Sequence, residues 1–414
     1  MKEKKPVYLF VTPFFPRPES WRGAFCYDFV KALMRQGKYD VRVFVHWRKG
    51  DGSPDDYEYH GIKVCRFRFR RAPFGIAPFL FSLWNRKSFQ KKVEDVGIAW
   101  EDIAVYHAHE LLFAPFIENV STSYKHIVSV LHFHNMGHPF HVSCGHLGFV
   151  PLYSEFLYLW MRKHFERIDM PTFVSKRQQG MFGKWYPHGY LNEAVDVLSA
   201  SMFRRMIRPI KLKKSYVCYN GIDYTVFNAI GRSVSTGVFT IGCVANICES
   251  KDQLTLLRAL VRLMAIDKLN GLSNWKCIFV GSGDKLPVCK QFVSDNGLEN
   301  IVEFRTEMDH LELPDFYRSL DLFVLPSWAE GFSCAYVEAF GSGTPIMGCK
   351  GVSVEEAIPE EDRERWLFSP QNAAELASKI YAYYSQRYKQ RLVQNFDIDS
   401  LVGEFLIQVE NRMK

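Results

Sequence analysis

Short β-rich apolar runs alternate with amphipathic helical patterns through both halves of this chain, and that alternation points to parallel sheets covered by helices. Residues 7–12, 41–46, 103–107, 126–131 and 171–175 read as strands of the first half, and 239–245, 277–280, 301–304 and 322–325 as strands of the second. Between them, Phe25, Phe29, Ala32 and Leu33 form one helical stripe ended by Gly37; Leu254, Leu257, Val261 and Met264 form another that begins from Asp252. The fold class is therefore α/β, with two Rossmann-like, doubly wound domains. A small, polar stretch at 228–237 suggests domains at 1–230 and 231–395, and the amphipathic segment 396–414 suits a helix that crosses back to the first domain.

The totals narrow the class further. Ten cysteines stand singly with no C-x-x-C among 414 residues, so they read as reduced thiols in a chain long enough to bury its cores without disulfides. The apolar start is broken by Pro13 and Pro16 with no cleavage site after it, and no run approaches the roughly 18–20 apolar residues of a membrane span. The expectation is a cytoplasmic protein, soluble or peripheral on the cytoplasmic membrane face. Residues 1–230 carry 33 basic and 20 acidic side chains against 19 and 25 in 231–414. No helix-turn-helix, finger or stacking-sheet motif accompanies the basic half, which argues against nucleic acid.

Ligands of open α/β sheets sit beyond the carboxyl ends of strands, which selects four places. In DLFVLPSWAEGFSCAYVEAFGSGTPIMG a strand leads to a loop bearing Glu330, and the amides of Gly331, Phe332 and Ser333 open a helix carrying Glu338. Such amides bind anions or hydroxyls, and the two carboxylates suit polyols. In VANICESKD, Asn246 and Lys251 precede a helix, where a lysine can hold a diphosphate; a solvated lysine is the bland reading. The nearby VGSGD turn, with Gly281, lacks the G-x-G-x-x-G of nicotinamide enzymes. Eight of thirteen histidines fall between His107 and His146, among them His109, His132, His134, His138 and His141; without a completing acidic or cysteine set they read as hydrogen-bonding imidazoles, and no metal site is expected. Finally, PFFPRPESWRGAF places Gly23 before a helix, with Arg17 and Arg22 adding positive charge.

Taken in order, these pieces resemble the GT-B retaining glycosyltransferases of glycosyltransferase family 4. YNGIDYTVF looks like that family's domain-crossing segment, FVGSGD its second-domain glycine turn, and the Glu330 to Glu338 region its Glu-x7-Glu motif. The resemblance implies two domains facing each other across a cleft that holds a nucleotide-sugar donor, UDP- or GDP-linked, as co-substrate, with no cofactor. It assigns Glu330, His134 and Lys251 to catalysis, and Gly23, Asn246, Gly281, Gly331, Phe332, Ser333 and Glu338 to the donor. His109, His132 and Arg22 fall to the acceptor or cleft.

Asn246 departs from the pattern, since an arginine usually stands there, and an amide does not replace a cation on a diphosphate. Three readings stay open: weaker phosphate binding, recruitment of another base such as Arg22, or loss of that function. The implied activity is metal-independent, retaining hexosyl transfer to a glycan or lipid-linked acceptor in polysaccharide or glycoconjugate synthesis; the alternative is a catalytically weak sugar-nucleotide-binding partner subunit. Basic residues at 63–71, 86–92 and 203–214 beside aromatics suit either an anionic membrane or an edge strand with outward arginines followed by a core helix.

Overall fold

The computed structural model describes residues 4–18, 20–70, 81–134, 164–182, 215–232, 237–270, 274–306 and 308–413. His138, His141, His146 and the basic stretch 203–214 lie outside them, as does the aromatic part of 72–80. Among the described residues no helix is long and apolar enough to cross a membrane.

The chain forms two compact α/β units. The first, which takes the described residues up to Tyr219 and again Ile398–Met413, is built on eight strands in the order β3-β4-β2-β1-β5-β6-β7-β8. These are β1 (Val7–Thr12), β2 (Asp40–Trp47), β3 (Tyr57–Tyr59), β4 (Ile62–Arg68), β5 (Ile103–His109), β6 (Val128–Phe133), β7 (Met170–Phe173) and β8 (Tyr216–Val217). All pair in parallel except β3 with β4. One face packs under the helix Ala24–Gln36 and the closing helix Ile398–Met413, whose Phe405, Leu406 and Val409 join Phe10, Phe29 and Val105 in one cluster. The other face buries Phe44, Phe67 and Tyr106 against Phe89 of the helix Ser82–Asp95 and Phe113 of the 3-10 turn Leu111–Phe116.

The second unit, 220–397, carries six parallel strands in the order β11-β10-β9-β12-β13-β14. They are β9 (Phe239–Val244), β10 (Trp275–Val280), β11 (Val302–Arg305), β12 (Leu322–Leu325), β13 (Ile346–Cys349) and β14 (Leu367–Phe368). Every residue of β9, β12 and β13 is buried, as parallel strands covered on both faces require.

Three expectations change. Residues 220–230 pack with the second unit, not the first: Ile222 and Phe227 are buried, Ile222 N–H donates to Phe396 O, and the Arg318 guanidinium donates to Asn228 O. The buried stripe of the helix Gln253–Asn270 runs through Leu256, Leu257, Leu260 and Leu263, so Leu254, Val261 and Met264 stand at its half-buried margins. In the helix Ala24–Gln36, Cys26 and Val30 lie inside while Phe25 is half-buried. Gly37 ends that helix in the left-handed conformation at φ 71°, donating its N–H to Met34 O.

The arginine-rich strand β4 is covered by β3, so it is not an edge. Lys63 and Arg68 point outward, but Arg66 is buried and its guanidinium donates to the carbonyls of Ser53 and Asp51. Arg70 lies 4.2 Å from the ring centroid of Trp84, so that indole has a cation on its face.

Candidate functional site

In each sheet the chain leaves one central strand in one direction and returns to its other side, and ligands of doubly wound sheets collect at that reversal. In the second unit the reversal lies between β9 and β12. Residues beyond both strands meet there. Lys251 closes the 3-10 turn Glu249–Lys251 that follows β9, Glu330 stands in the loop that follows β12, and the two form an ion pair. The loops are also tied through their backbones: Ser250 O accepts from Trp328 N–H at 3.1 Å and from Ser327 Oγ at 3.0 Å. Ser353 Oγ donates to Glu330 O.

A third loop supports these two. Gly281 has φ +140°, and a Cβ there would sit 2.1 Å from Ala245 O; one at Gly283 would sit 2.2 Å from Ile247 O. The absent side chains let the β10 loop close on the β9 loop, sealed by Ile247 N–H to Ser282 O and Lys285 N–H to Ile247 O. Asn246 therefore occupies a fixed turn with an exposed side chain, its carbonyl accepting from Gln253 Nε2 at 2.9 Å. Asp252 has φ 49° and caps the next helix by accepting from Thr255 N–H at 3.3 Å, with Thr255 Oγ1 donating to its other oxygen at 2.7 Å; burial pushes its carboxyl up to about 6.

Gly331 and Phe332 are buried and Ser333 half-buried immediately before the helix Cys334–Gly341, which Ser333 precedes without a side-chain cap. Phe332 stacks on Phe396 at 5.3 Å and its carbonyl accepts from Asn220 Nδ2. Glu338, buried on that helix, accepts from Tyr317 OH at 2.9 Å. Burial, then the neighbouring Glu338, raise the Tyr317 hydroxyl well above its usual range, so it remains a donor. Tyr317 and Asn220 were not anticipated. Asn220 stood inside YNGIDYTVF and Tyr317 just before the segment that bears Glu330, but nothing in their spacing from Phe332 or Glu338 indicates contact.

In the first unit the reversal lies between β1 and β5. Gly23, at φ 94°, opens the helix after β1; a Cβ there would lie 2.8 Å from the Phe14 backbone, so the position demands glycine on packing grounds alone. From β5 and β6, His107, His109, His132 and His134 form a stack, with centroids 4.6 Å apart for His107 and His109 and 4.8 Å for His109 and His134. Tyr8 OH and His107 Nδ1 share a 2.7 Å hydrogen bond. Burial first, then neighbouring imidazoles, hold His107 and His109 well below their usual range, and burial takes His132 to about 3, so these rings are neutral.

One nitrogen each of His107, His109 and His132 lies within 4.8 Å of the others, the spacing of a loose metal triad. The planes of His107 and His132 differ by only 15°, however. Imidazole lone pairs lie in the ring plane, so rings stacked in this way aim them side by side, not at one point. The arrangement suits a packed polar core better than a ligand set.

Known proteins share parts of this geometry. Residues 238–386, which contain Lys251, Glu330 and Glu338, match the family model of glycosyl transferases group 1. A D-inositol 3-phosphate glycosyltransferase of Arthrobacter sp. is 30% identical over 179 residues, 40% of each chain, and the lipopolysaccharide core mannosyltransferase LpsB of Rhizobium meliloti is 30% identical over 132 residues, 31% of this chain and 36% of that one. The chain thus spans 40% or less of the length of these relatives. Among solved structures, HepE of Anabaena in complex with UDP-glucose aligns with TM-score 0.66 at 16% identity, covering 98% of this chain and 100% of that one. Sucrose-phosphate synthase of Thermosynechococcus elongatus aligns with TM-score 0.64 at 15% identity, over 98% and 96%. The two Rossmann-like domains therefore have the fold of these GT-B structures.

Proposed function

We propose that this protein is a glycosyltransferase that moves a sugar, with retention, from a nucleoside diphosphate sugar to a glycan or lipid-linked acceptor. The observation that carries the reading is the Lys251–Glu330 pair at the sheet reversal, within the segment that matches the glycosyl transferases group 1 model. The two relatives, a glycosyltransferase and a mannosyltransferase by name, support the transferase activity, and the UDP-glucose held by HepE supports the donor class.

The reaction breaks the bond between the anomeric carbon and a phosphate oxygen, and negative charge gathers on the leaving diphosphate. Lys251 and the amides of Gly331, Phe332 and Ser333 would stabilise that charge, the largest contribution in such chemistry. A diphosphate reaching Lys251 would exchange one anionic partner for another, releasing Glu330 to accept hydroxyls of the donor sugar. Glu338, steadied by Tyr317, would take the ribose hydroxyls. His134 at the sugar's reactive face, retention by front-face attack and independence from metal rest on the family resemblance.

Release of nucleoside diphosphate from a panel of UDP-, GDP-, ADP- and dTDP-sugars, with and without lipid extract, tests the reading. Release from one donor that disappears in Lys251→Ala is expected. Silence across the panel, with a nucleotide still raising the melting temperature, would replace the enzyme with a binding subunit, the outcome that Asn246 favours.

A further inference from the structure

A second polar site lies within the first unit, at the carboxyl ends of β1 and β2. A cavity of about 300 Å³ opens between the loop after β1 and the loop after β2, the size and place of a small-molecule site in an open α/β sheet. Among the described residues its lining holds the guanidinium groups of Arg17, Arg22 and Arg48 and one carboxylate, that of Asp51. That carboxylate is already engaged, accepting from Arg48 N–H at 3.0 Å and Arg48 Nε at 3.2 Å. Arg17 Nη1 donates to the Asp51 carbonyl at 3.0 Å, which holds a second guanidinium at the wall. Arg22 has no carboxylate partner among the described residues, and its guanidinium lies 4.9 Å from the ring centroid of Phe14.

An imidazole is also turned toward this space. His46, near the end of β2, is half-buried, but its Nδ1 atom is shut off from solvent and meets no hydrogen-bond partner among the described residues. A buried polar atom left unmatched beside clustered guanidinium groups is costly unless something occupies the space.

We infer that this cavity binds a phosphate monoester, carried by the acceptor, with Arg22 and Arg48 as its principal cationic ligands and His46 as a hydrogen-bonding neighbour. Paired guanidinium forks match the geometry of a phosphate better than that of a neutral hydroxyl. The phosphate belongs either to a free sugar phosphate or to a lipid headgroup. That the bound molecule is an acceptor rests on the transferase proposal above; the binding itself is measured without any donor.

The test is calorimetric titration at low salt with glucose 6-phosphate, with glucose as the uncharged control, alongside sedimentation with phosphatidylcholine vesicles lacking or containing phosphatidic acid. Saturable binding of glucose 6-phosphate and not glucose, weakened at least ten-fold by Arg22→Gln together with Arg48→Gln and unchanged by Arg35→Gln on the helix face paired with Asp399, is expected for a free sugar phosphate. Binding to phosphatidic acid vesicles alone, lost in the same double variant, assigns the phosphate to a lipid. No saturation by either probe, or equal binding by wild type and double variant with intact melting, overturns the site. Loss of nucleoside diphosphate binding in the double variant with glucose 6-phosphate silent would give the arginines to the donor and equally overturn it. Phosphate binding combined with a silent donor panel would remove the transferase reading and leave the site standing.

Discussion

Lys251 Nζ and Glu330 Oε1 form an ion pair across the reversal of the second sheet, with side chains 18% and 6% exposed. Two loops separated by more than seventy residues are joined at one charged contact that no other carboxylate shares among the described residues.

Breaking that contact from one side leaves a nearly buried charge without its partner. Lys251→Ala is expected to lower unfolding free energy by about 3 kcal/mol or more. Adding Glu330→Gln should recover part of the loss, since a neutral amide no longer needs the cation. Urea titration of wild type, both single variants and the double variant measures the coupling; additive losses would mean that the pair contributes nothing of its own.

Acid should destabilise the first unit well before carboxylates titrate. His132 sits at about 3, His46 at about 4, and His107 and His109 well below 6.5. Their folded values are depressed, so the unfolded chain takes up protons first. The stability they allow is complete above pH 6.5 and falls as pH drops from there towards 4, by about 1.4 kcal/mol per pH unit for each histidine. Urea midpoints at pH 7.5, 6.5 and 5.5 should decline steeply below 6.5, and less steeply in His46→Gln. A flat profile over this range would sink the argument.

Two glycines with positive φ should respond differently to the same change. Gly281→Ala drives a Cβ into the Ala245 carbonyl and is expected to cost about 2 kcal/mol or more. Gly297→Ala, at φ 64° with open space around it, should cost about 1 kcal/mol from backbone strain alone. Equal losses in denaturant melts would show that the packing of the β9 and β10 loops is looser than described.

Tyr317→Phe removes one donor from buried Glu338 and nothing else. A loss of about 1–2 kcal/mol in stability is expected. If Glu338 meets the donor's ribose, nucleotide affinity should also fall several-fold; unchanged affinity would leave Glu338 a purely structural carboxylate.

Most strands were legible because burial on both faces leaves an uninterrupted apolar run: the expected spans at 7–12 and 322–325 coincide with β1 and β12. Strand β4 was ambiguous because its charged residues do not all face one way. Lys63 and Arg68 look outward while Arg66 turns in to carbonyl acceptors that sequence periodicity cannot reveal. Strand β13 reads Ile-Met-Gly-Cys, an apolar run broken by Gly348, and β14 is only two residues long, so neither carries a pattern. At the candidate site, the roles of Glu330, Glu338 and Lys251 were readable as chemistry, but that Lys251 and Glu330 would touch, and that Tyr317 would hold Glu338, depends on packing between segments far apart in the chain. The histidines stand at strand spacing; only the covering of both sheet faces turned them into a neutral stack.

The closing helix has a further consequence, for the order of events during synthesis. Phe405 packs edge-on to Phe29 at 5.4 Å and stacks on His107 at 5.2 Å, so a segment made after the second unit completes a core begun before it. At about 5–20 residues per second, the whole second unit is made over roughly 10–35 s while the first sheet waits with one face covered by the helix Ala24–Gln36 alone and not yet by Ile398–Met413. The second unit is thus complete before the first, whose apolar face around Phe29 stays partly open to solvent until Phe405, Leu406 and Val409 arrive.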